Sequence, residues 1–363
     1  MRFCVPDFFE KFHCIADRCT DTCCVGWEID VDEDTEAMYM KVPGDFGKKL
    51  KANIFEGHFK LTPEERCPFL DCNNLCEIIK NIGENSLCDI CREHPRFVEY
   101  FGDYKEQGLG LCCEEAVRLL LESKEPLSFN YGDCDDYPDE LDEEEFYRRD
   151  EILGHRHNIF TILTQREYPL DERIARMLTY AEAVDTARRN AFLGIDEEYE
   201  DDEYTAENVI ASEAKQSSIF DINSPELLKK LVEFLEKSES YGKEWDIALA
   251  QIKARDENLE TKDERRKTKE NVFSDEEMER IVCYMIFRYY AKSFFDGQGL
   301  IKAKFAAAFY MLIKNFANEL AGIAQGEIHT LTTKINAIKL LSKQLEYSEG
   351  NMAMFEIMFM QKD

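Results

Sequence analysis

The sequence predicts a mainly α protein in two parts. A cysteine-rich, metal-binding N-terminal domain with short strands and helices precedes an all-helical C-terminal domain. Two observations carry this. Twelve of the 14 cysteines lie between Cys4 and Cys113, and nearly every long segment after residue 145 carries apolar residues at helical spacing. The boundaries read as 1–125 for the cysteine-rich domain, 126–145 for an acidic linker and 146–363 for the helical domain. Polar insertions are expected near 196–218 and 253–271.

In the first part, "RFVEYFGDYKEQGLGL" reads as a hairpin turning at Gly102 and Asp103, and "CEEAVRLLLES" starts a helix whose Glu114 and Glu115 suit the positive end of its dipole. Gly108 and Gly110 leave two readings open, a strand and turn or a close backbone approach to a ligand. The run "DCDDYPDELDEEE" is too acidic, and too broken by Pro138, to be core. A helix follows Pro169 in "PLDERIARMLTYAEAVDTARRNAFL". Ser224 and Pro225 start another as N-cap and first helical residue. Ser274 and Glu277 form a capping box for "SDEEMERIVCYMIFRYYAKSFF", and two more helices are expected near Leu300–Leu320 and Ile328–Leu345. The aromatic stripes of these helices fit core packing better than a cofactor cavity. The piece "NVIASEAKQSS" reads as an inserted surface loop, whose closure entropy costs little.

With 363 residues and 44% hydrophobic content, both parts have enough apolar mass for a core. The first residues lack a signal-peptide core, and no apolar run approaches the roughly 18 residues of a membrane span. A soluble, cytoplasmic protein is therefore the expectation. The formal charge of −30 argues against sequence-blind nucleic-acid binding. It suits a basic or lysine-bearing protein partner, or simply a solvated acidic surface. Oligomeric state is not legible.

Thiols stay reduced in the cytosol, so the cysteine density points to metal rather than disulfides. The spacing is Cys14-x4-Cys19-x3-Cys23-Cys24, Cys67-x4-Cys72-x3-Cys76, Cys88-x2-Cys91 and the pair Cys112-Cys113. Only one Cys-x2-Cys knuckle is present, and simple ferredoxin spacing is absent, so zinc and iron–sulfur both remain open. Arg18, Arg66, Arg92, Arg96 and His94 lie near these thiols in sequence. The arginines either moderate thiolate charge or pair with acidic neighbours. His94 is either a ligand or a packed loop residue. Trp27 either covers the metal site or anchors the first loop.

The segments "CIADRCTDTCCVGWEIDVD", "CPFLDCNNLCEII", "LCDICREHPR" and "LCCEEAVRLLL", in this order, resemble the flagellin lysine-N-methylase family and its relatives, the cysteine-rich zinc- or iron-chelating domains. Residues 6–122 carry the likeness. The resemblance implies metal-site cysteines at Cys14, Cys19, Cys23, Cys24, Cys67, Cys76, Cys88, Cys91 and Cys113, with Cys4, Cys72 and Cys112 as extras. Glu114 stands where relatives usually have proline. It further implies a [4Fe–4S] cluster, with zinc as the alternative, S-adenosylmethionine as methyl donor, and flagellin or another lysine-bearing protein as substrate. No glycine fingerprint for the donor follows a predicted strand. A non-enzymatic module, storing metal or using zinc to stabilise an interaction surface, is the competing expectation.

Overall fold

A computed structural model describes residues 1–20, 22, 24–25, 29–64, 66–136, 139–193, 220–258, 272–322 and 330–360. Strand β1 (Arg2–Pro6) opens the chain. It is followed by α1 (Glu33–Tyr39), α2 (Gly44–Ala52), the two-residue strands β2 (Ile54–Phe55) and β3 (His58–Phe59), α3 (Glu77–Ile82) and α4 (Asp89–Glu93). The hairpin β4 (Arg96–Phe101) and β5 (Tyr104–Leu109) turns at Gly102, whose φ of 68° is the left-handed conformation glycine tolerates. Next come α5 (Glu114–Glu122) and β6 (Phe129–Asp133). The four-stranded sheet has the order β4-β5-β1-β6. Strand β1 lies parallel to β5 and antiparallel to β6, with Cys4 opposite Glu106 on one side and Tyr131 on the other. Thus the stretch read as an acidic linker contains a paired edge strand.

The remaining elements are helical: α6 (Glu143–Leu163), α7 (Leu170–Phe192), α8 (Pro225–Lys237), α9 (Lys243–Asn258), α10 (Asp275–Tyr289), the short α11 (Ser293–Asp296), α12 (Gly299–Leu320), α13 (Leu331–Glu346) and α14 (Glu349–Met360). The expected caps form. Ser224 Oγ accepts from the Leu227 amide at 3.2 Å, and Ser274 and Glu277 exchange both bonds of the capping box. The helix expected at Ile328–Leu345 begins instead at Leu331, because Thr330 supplies the cap. The stretch read as polar from Lys253 opens inside α9, which runs to Asn258 and buries Trp245, Ala248 and Ile252 at three- to four-residue spacing. The other expected insertion and "NVIASEAKQSS" lie outside the described residues.

Helix α12 is buried along nearly its whole length and touches α7, α8, α9, α10, α13 and α14. A helix buried on nearly every side, with most of its residues apolar, sits at the centre of such an assembly. Tyr284, Phe287, Phe305 and Phe309 are all core, as the stripes predict. The buried Glu279 on α10 is neutralised by Arg173 and by Arg166, the latter at 2.9 Å. Among the described residues, no helix is long and apolar enough to cross a membrane.

The large core is not confined to the helices. It takes in Cys4, Phe8, Phe12, Phe101, Tyr104, Leu109 and most of α5. A second, smaller cluster groups ten buried residues between Ile29 and Cys88, among them Tyr39, Phe59, Phe69, Cys67 and Cys88. The sheet and α5 therefore pack with the helices, and residues 29–91 form a small lobe beside them.

One face of α10 joins the two sequence regions. Arg280 donates to the Leu120 carbonyl at 2.8 Å, to the Glu125 carbonyl at 2.9 Å and to Asp7 at 2.9 Å. One turn on, the Tyr284 hydroxyl donates to the Leu109 carbonyl and accepts from the Leu109 amide, both at 2.6 Å. Both partners are buried, so Tyr284→Phe leaves two backbone groups of β5 unpaired. It should lower stability by about 1–3 kcal/mol in urea unfolding followed by helical signal. The exposed Tyr147→Phe should change it by less than about 0.5 kcal/mol. Equal effects would remove the bond's assigned role.

Candidate metal centre and the adjoining seam

The core of the small lobe is mostly aliphatic and aromatic, with two cysteines among its ten buried residues. Cys67 and Cys88 are buried in its core, with Cys24, Cys76 and Cys91 packed against it. Backbone bonds fix the approach of the segments: the Cys67 amide donates to the Cys24 carbonyl at 2.9 Å, and Leu70 bridges Cys76. Cys76 stands at the N-cap of α3 and Cys88 at the N-cap of α4. At Cys76 the Ile78 and Ile79 amides point toward the sulfur without closing a capping bond. They oppose the upward push of burial and of the Cys24 and Cys88 thiols.

These five thiols sense one another. Burial, then the neighbouring Cys24, Cys76 and Cys88, push the Cys67 thiol up to about 12. Cys91 donates its proton toward Cys88, which holds Cys88 below and Cys91 far above the ordinary thiol value. Burial first, then Cys88, Cys91 and Cys76, raise the Tyr39 hydroxyl as well. More than one negative sulfur here is unfavourable unless a cation joins them. Among the described residues, no three His, Cys, Asp or Glu side chains stand in a ready-made ligand arrangement. None of the described cysteines is in a disulfide.

Of the nine cysteines expected as ligands, Cys24, Cys67, Cys76, Cys88 and Cys91 are thus brought together. Cys14, Cys19 and Cys113 lie elsewhere, at the start of α5. Burial, followed by the amides of α5 and then Cys14, sets the Cys113 thiol, with a net upward shift. Cys19 Sγ donates to Glu114 at 3.4 Å, and the same carboxylate accepts from the amide and hydroxyl of Thr20 at 2.8 and 2.7 Å. The unusual Glu114 therefore fastens the first cysteine loop to α5. Cys23 and Trp27 lie outside the described residues. Of the extras, Cys72 is exposed while Cys4 and Cys112 are buried.

The nearby cations do not gather round the thiols. Arg66 donates to Asn74 at 2.8 Å, Arg92 pairs with Asp89 and Glu93, and Arg96 lies 5.0 Å over the Phe12 ring. His94 follows its packing reading. Its ring sits 6.2 Å from Tyr347, and Cys112 Sγ is 3.8 Å from Nε2 and 2.8 Å from the Tyr347 hydroxyl. Beside them the buried Arg288 of α10 pairs with Glu346 at 2.9 Å and covers the Phe97 ring at 4.6 Å. Gly108 and Gly110 make room for this seam rather than for a ligand. A Cβ would meet the Phe97 ring at 2.4 Å in one case and the Tyr347 hydroxyl at 2.2 Å in the other. Arg280, Tyr284 and Arg288 recur every four residues, so the periodicity was available. The apolar stripe around them masked it.

Over residues 156–363 the chain matches the model of the FliB lysine N-methylase C-terminal domain. It is 27% identical over 135 residues to the lysine-N-methylase of Salmonella typhimurium, covering 34% of each chain. It is 27% identical over 133 residues to the flagellar biosynthetic protein FliU of Salmonella muenchen, covering 34% of this chain and 79% of that one. The chain thus spans about a third of the length of the lysine-N-methylase it matches. No solved structure matches it significantly.

Burial first, then Arg288 and Lys343, press the His94 pKa down to about 4. Unfolded, the imidazole takes a proton near 6.5; folded, it does so only near 4. Its contribution to stability is complete above pH 6.5 and is lost as pH falls toward 4, on the order of 2 kcal/mol for this partly exposed ring. Unfolding of His94→Gln measured across that window should show a shallower loss than the unsubstituted chain. Parallel curves would contradict a neutral imidazole held in the folded chain.

Proposed function

The chain belongs to the FliB lysine N-methylase family, and from that premise we propose that it transfers a methyl group from S-adenosylmethionine to lysines of flagellin. The match over the helical part carries this reading, and the curated relatives named for lysine methylation and flagellar biosynthesis support it. The formal charge of −30 suits a protein substrate approached through its lysines.

The transfer is a polar displacement. The neutral lysine nitrogen attacks the sulfonium methyl, the C–N bond forms as the C–S bond breaks, and the electron pair returns to sulfur. A free lysine is protonated at neutral pH, since its reference pKa is about 10.4. The protein must therefore desolvate the ammonium, or bring the sulfonium charge beside it, before attack.

The N-terminal lobe is proposed to be a metal centre. The donor chemistry fits a thiophilic metal, since soft thiolates are the ligands of iron–sulfur clusters and structural zinc. Cys24, Cys67, Cys76, Cys88 and Cys91 are the residues that would hold it, a [4Fe–4S] cluster by family and zinc by the same chemistry. When bound, it would supply positive charge against thiolate repulsion and cross-links between three chain segments. A core of ten buried side chains is small for a free-standing unit, and such cross-links stabilise lobes of that size.

Purification without oxygen, metal analysis and mass analysis of flagellin after incubation with S-adenosylmethionine test both halves of the proposal. Methylated lysines and about four irons per chain are expected. Cys67→Ser and Cys88→Ser should lose the metal, whereas the exposed Cys72→Ser should keep it. Stoichiometric zinc without methylation would favour the metal-binding module instead. Unmodified flagellin with the cluster intact would end the methylase reading.

A further inference from the structure

A cavity of about 560 Å³ opens between the β1–β6 side of the sheet and helix α6. It is the roomiest of three cavities that invite comparison. One beside α7 and α12 holds about 230 Å³, too little for a nucleoside with an amino-acid tail, and its Tyr310 and Lys314 are both bonded to Asp171. Another, of about 400 Å³ beside α9 and α13, mixes aliphatic side chains such as Ile247 and Leu340 with charged ones such as Glu244 and Lys339, and has no aromatic ring in its lining.

The large cavity differs in chemistry. Tyr104, Phe129, Tyr131 and Phe160 supply ring faces from two strands and a helix, whereas the Phe3 ring covers Gly132 on the other face of the sheet. Phe129 and Phe160 lie 5.0 Å apart and form a continuous wall. Charge of both signs shares the same space, with Arg2 and Arg156 against Asp133 and Asp150. Arg156 is only 5% exposed, and Glu106 and the Phe287 carbonyl occupy its Nη1 and Nη2. No hydrogen bond from its Nε is present among the described residues. The guanidinium is therefore rigidly held, with a donor left over at the cavity wall. Tyr131 is 72% exposed and stands at the mouth.

A planar ring system, a carboxylate and two cationic centres in one molecule would use all of these features. Aromatic faces hold a purine and attract a sulfonium, arginine takes the carboxylate, and Asp133 takes the ammonium, since Asp150 is already paired with Arg149 at 3.0 Å. Cavities of roughly 300–1,000 Å³ are the usual size for such ligands. We propose that this cavity binds the methyl donor, an adenosyl sulfonium amino acid. The assignment rests on the methylase reading above and adds its location.

Calorimetric titration of the full chain, purified without oxygen, with S-adenosylmethionine and S-adenosylhomocysteine tests it. Tyr131→Ala removes an exposed ring and Asp133→Asn a surface charge, so neither should disturb the fold. Each should weaken both ligands about 5- to 50-fold. Leu153→Trp, which fills the cavity from α6, should abolish binding while leaving the melting curve intact. If the unsubstituted chain binds and all three variants bind equally well, the cavity assignment is overturned and the methylase reading stands. If the unsubstituted chain binds neither compound, both fall.

Discussion

Helix α10 lays Arg280, Tyr284 and Arg288 along one face, one turn apart, and through them the strands and α5 of the first part are fixed to the helical part. Each side chain satisfies groups that burial would otherwise orphan: the carbonyls ending α5, both backbone groups of Leu109, and the carboxylate of Glu346. Hydrogen bonds from charged groups in such a setting are worth more than surface pairs, and removing one partner strands the other. The sheet, α5 and the helices consequently share one core. The small sulfur-rich lobe runs into that frame at the start of β4, and Glu114 ties the first cysteine loop, at Cys19 and Thr20, to α5.

This frame gives the two chemical regions different characters. The cavity beneath α6 has walls fixed by the sheet register and by the Glu106–Arg156 pair, so it is formed before any ligand arrives. The lobe has grouped thiols whose charges oppose one another, with no preset coordination geometry among the described residues. Binding energy at the first site goes to affinity. At the second, the proposed metal would bind in step with local folding.

Much of this was legible in the sequence, for local reasons. Caps at Ser224 and Ser274, the turn at Gly102 and the helical stripes depend on residues a few positions apart, and they formed where expected. Long-range pairing was not legible. Strand β1 lies parallel to β5 a hundred residues away, and Phe129–Asp133 joins as an edge strand despite its acidic neighbours. The cysteines show the same limit. Their order along the chain identified a family, but only the fold separates Cys24, Cys67, Cys76, Cys88 and Cys91 from Cys14, Cys19 and Cys113. Hydrophobic periodicity reported that α10 had a buried face, and could not report that the face carries two arginines.

The central claim is that the five grouped thiols hold a metal. X-ray absorption at the metal edge of protein purified without oxygen reads the ligand shell directly. The account predicts a first shell of sulfur at about 2.3 Å. A metal bound through oxygen and nitrogen alone, or protein without stoichiometric metal, would contradict it.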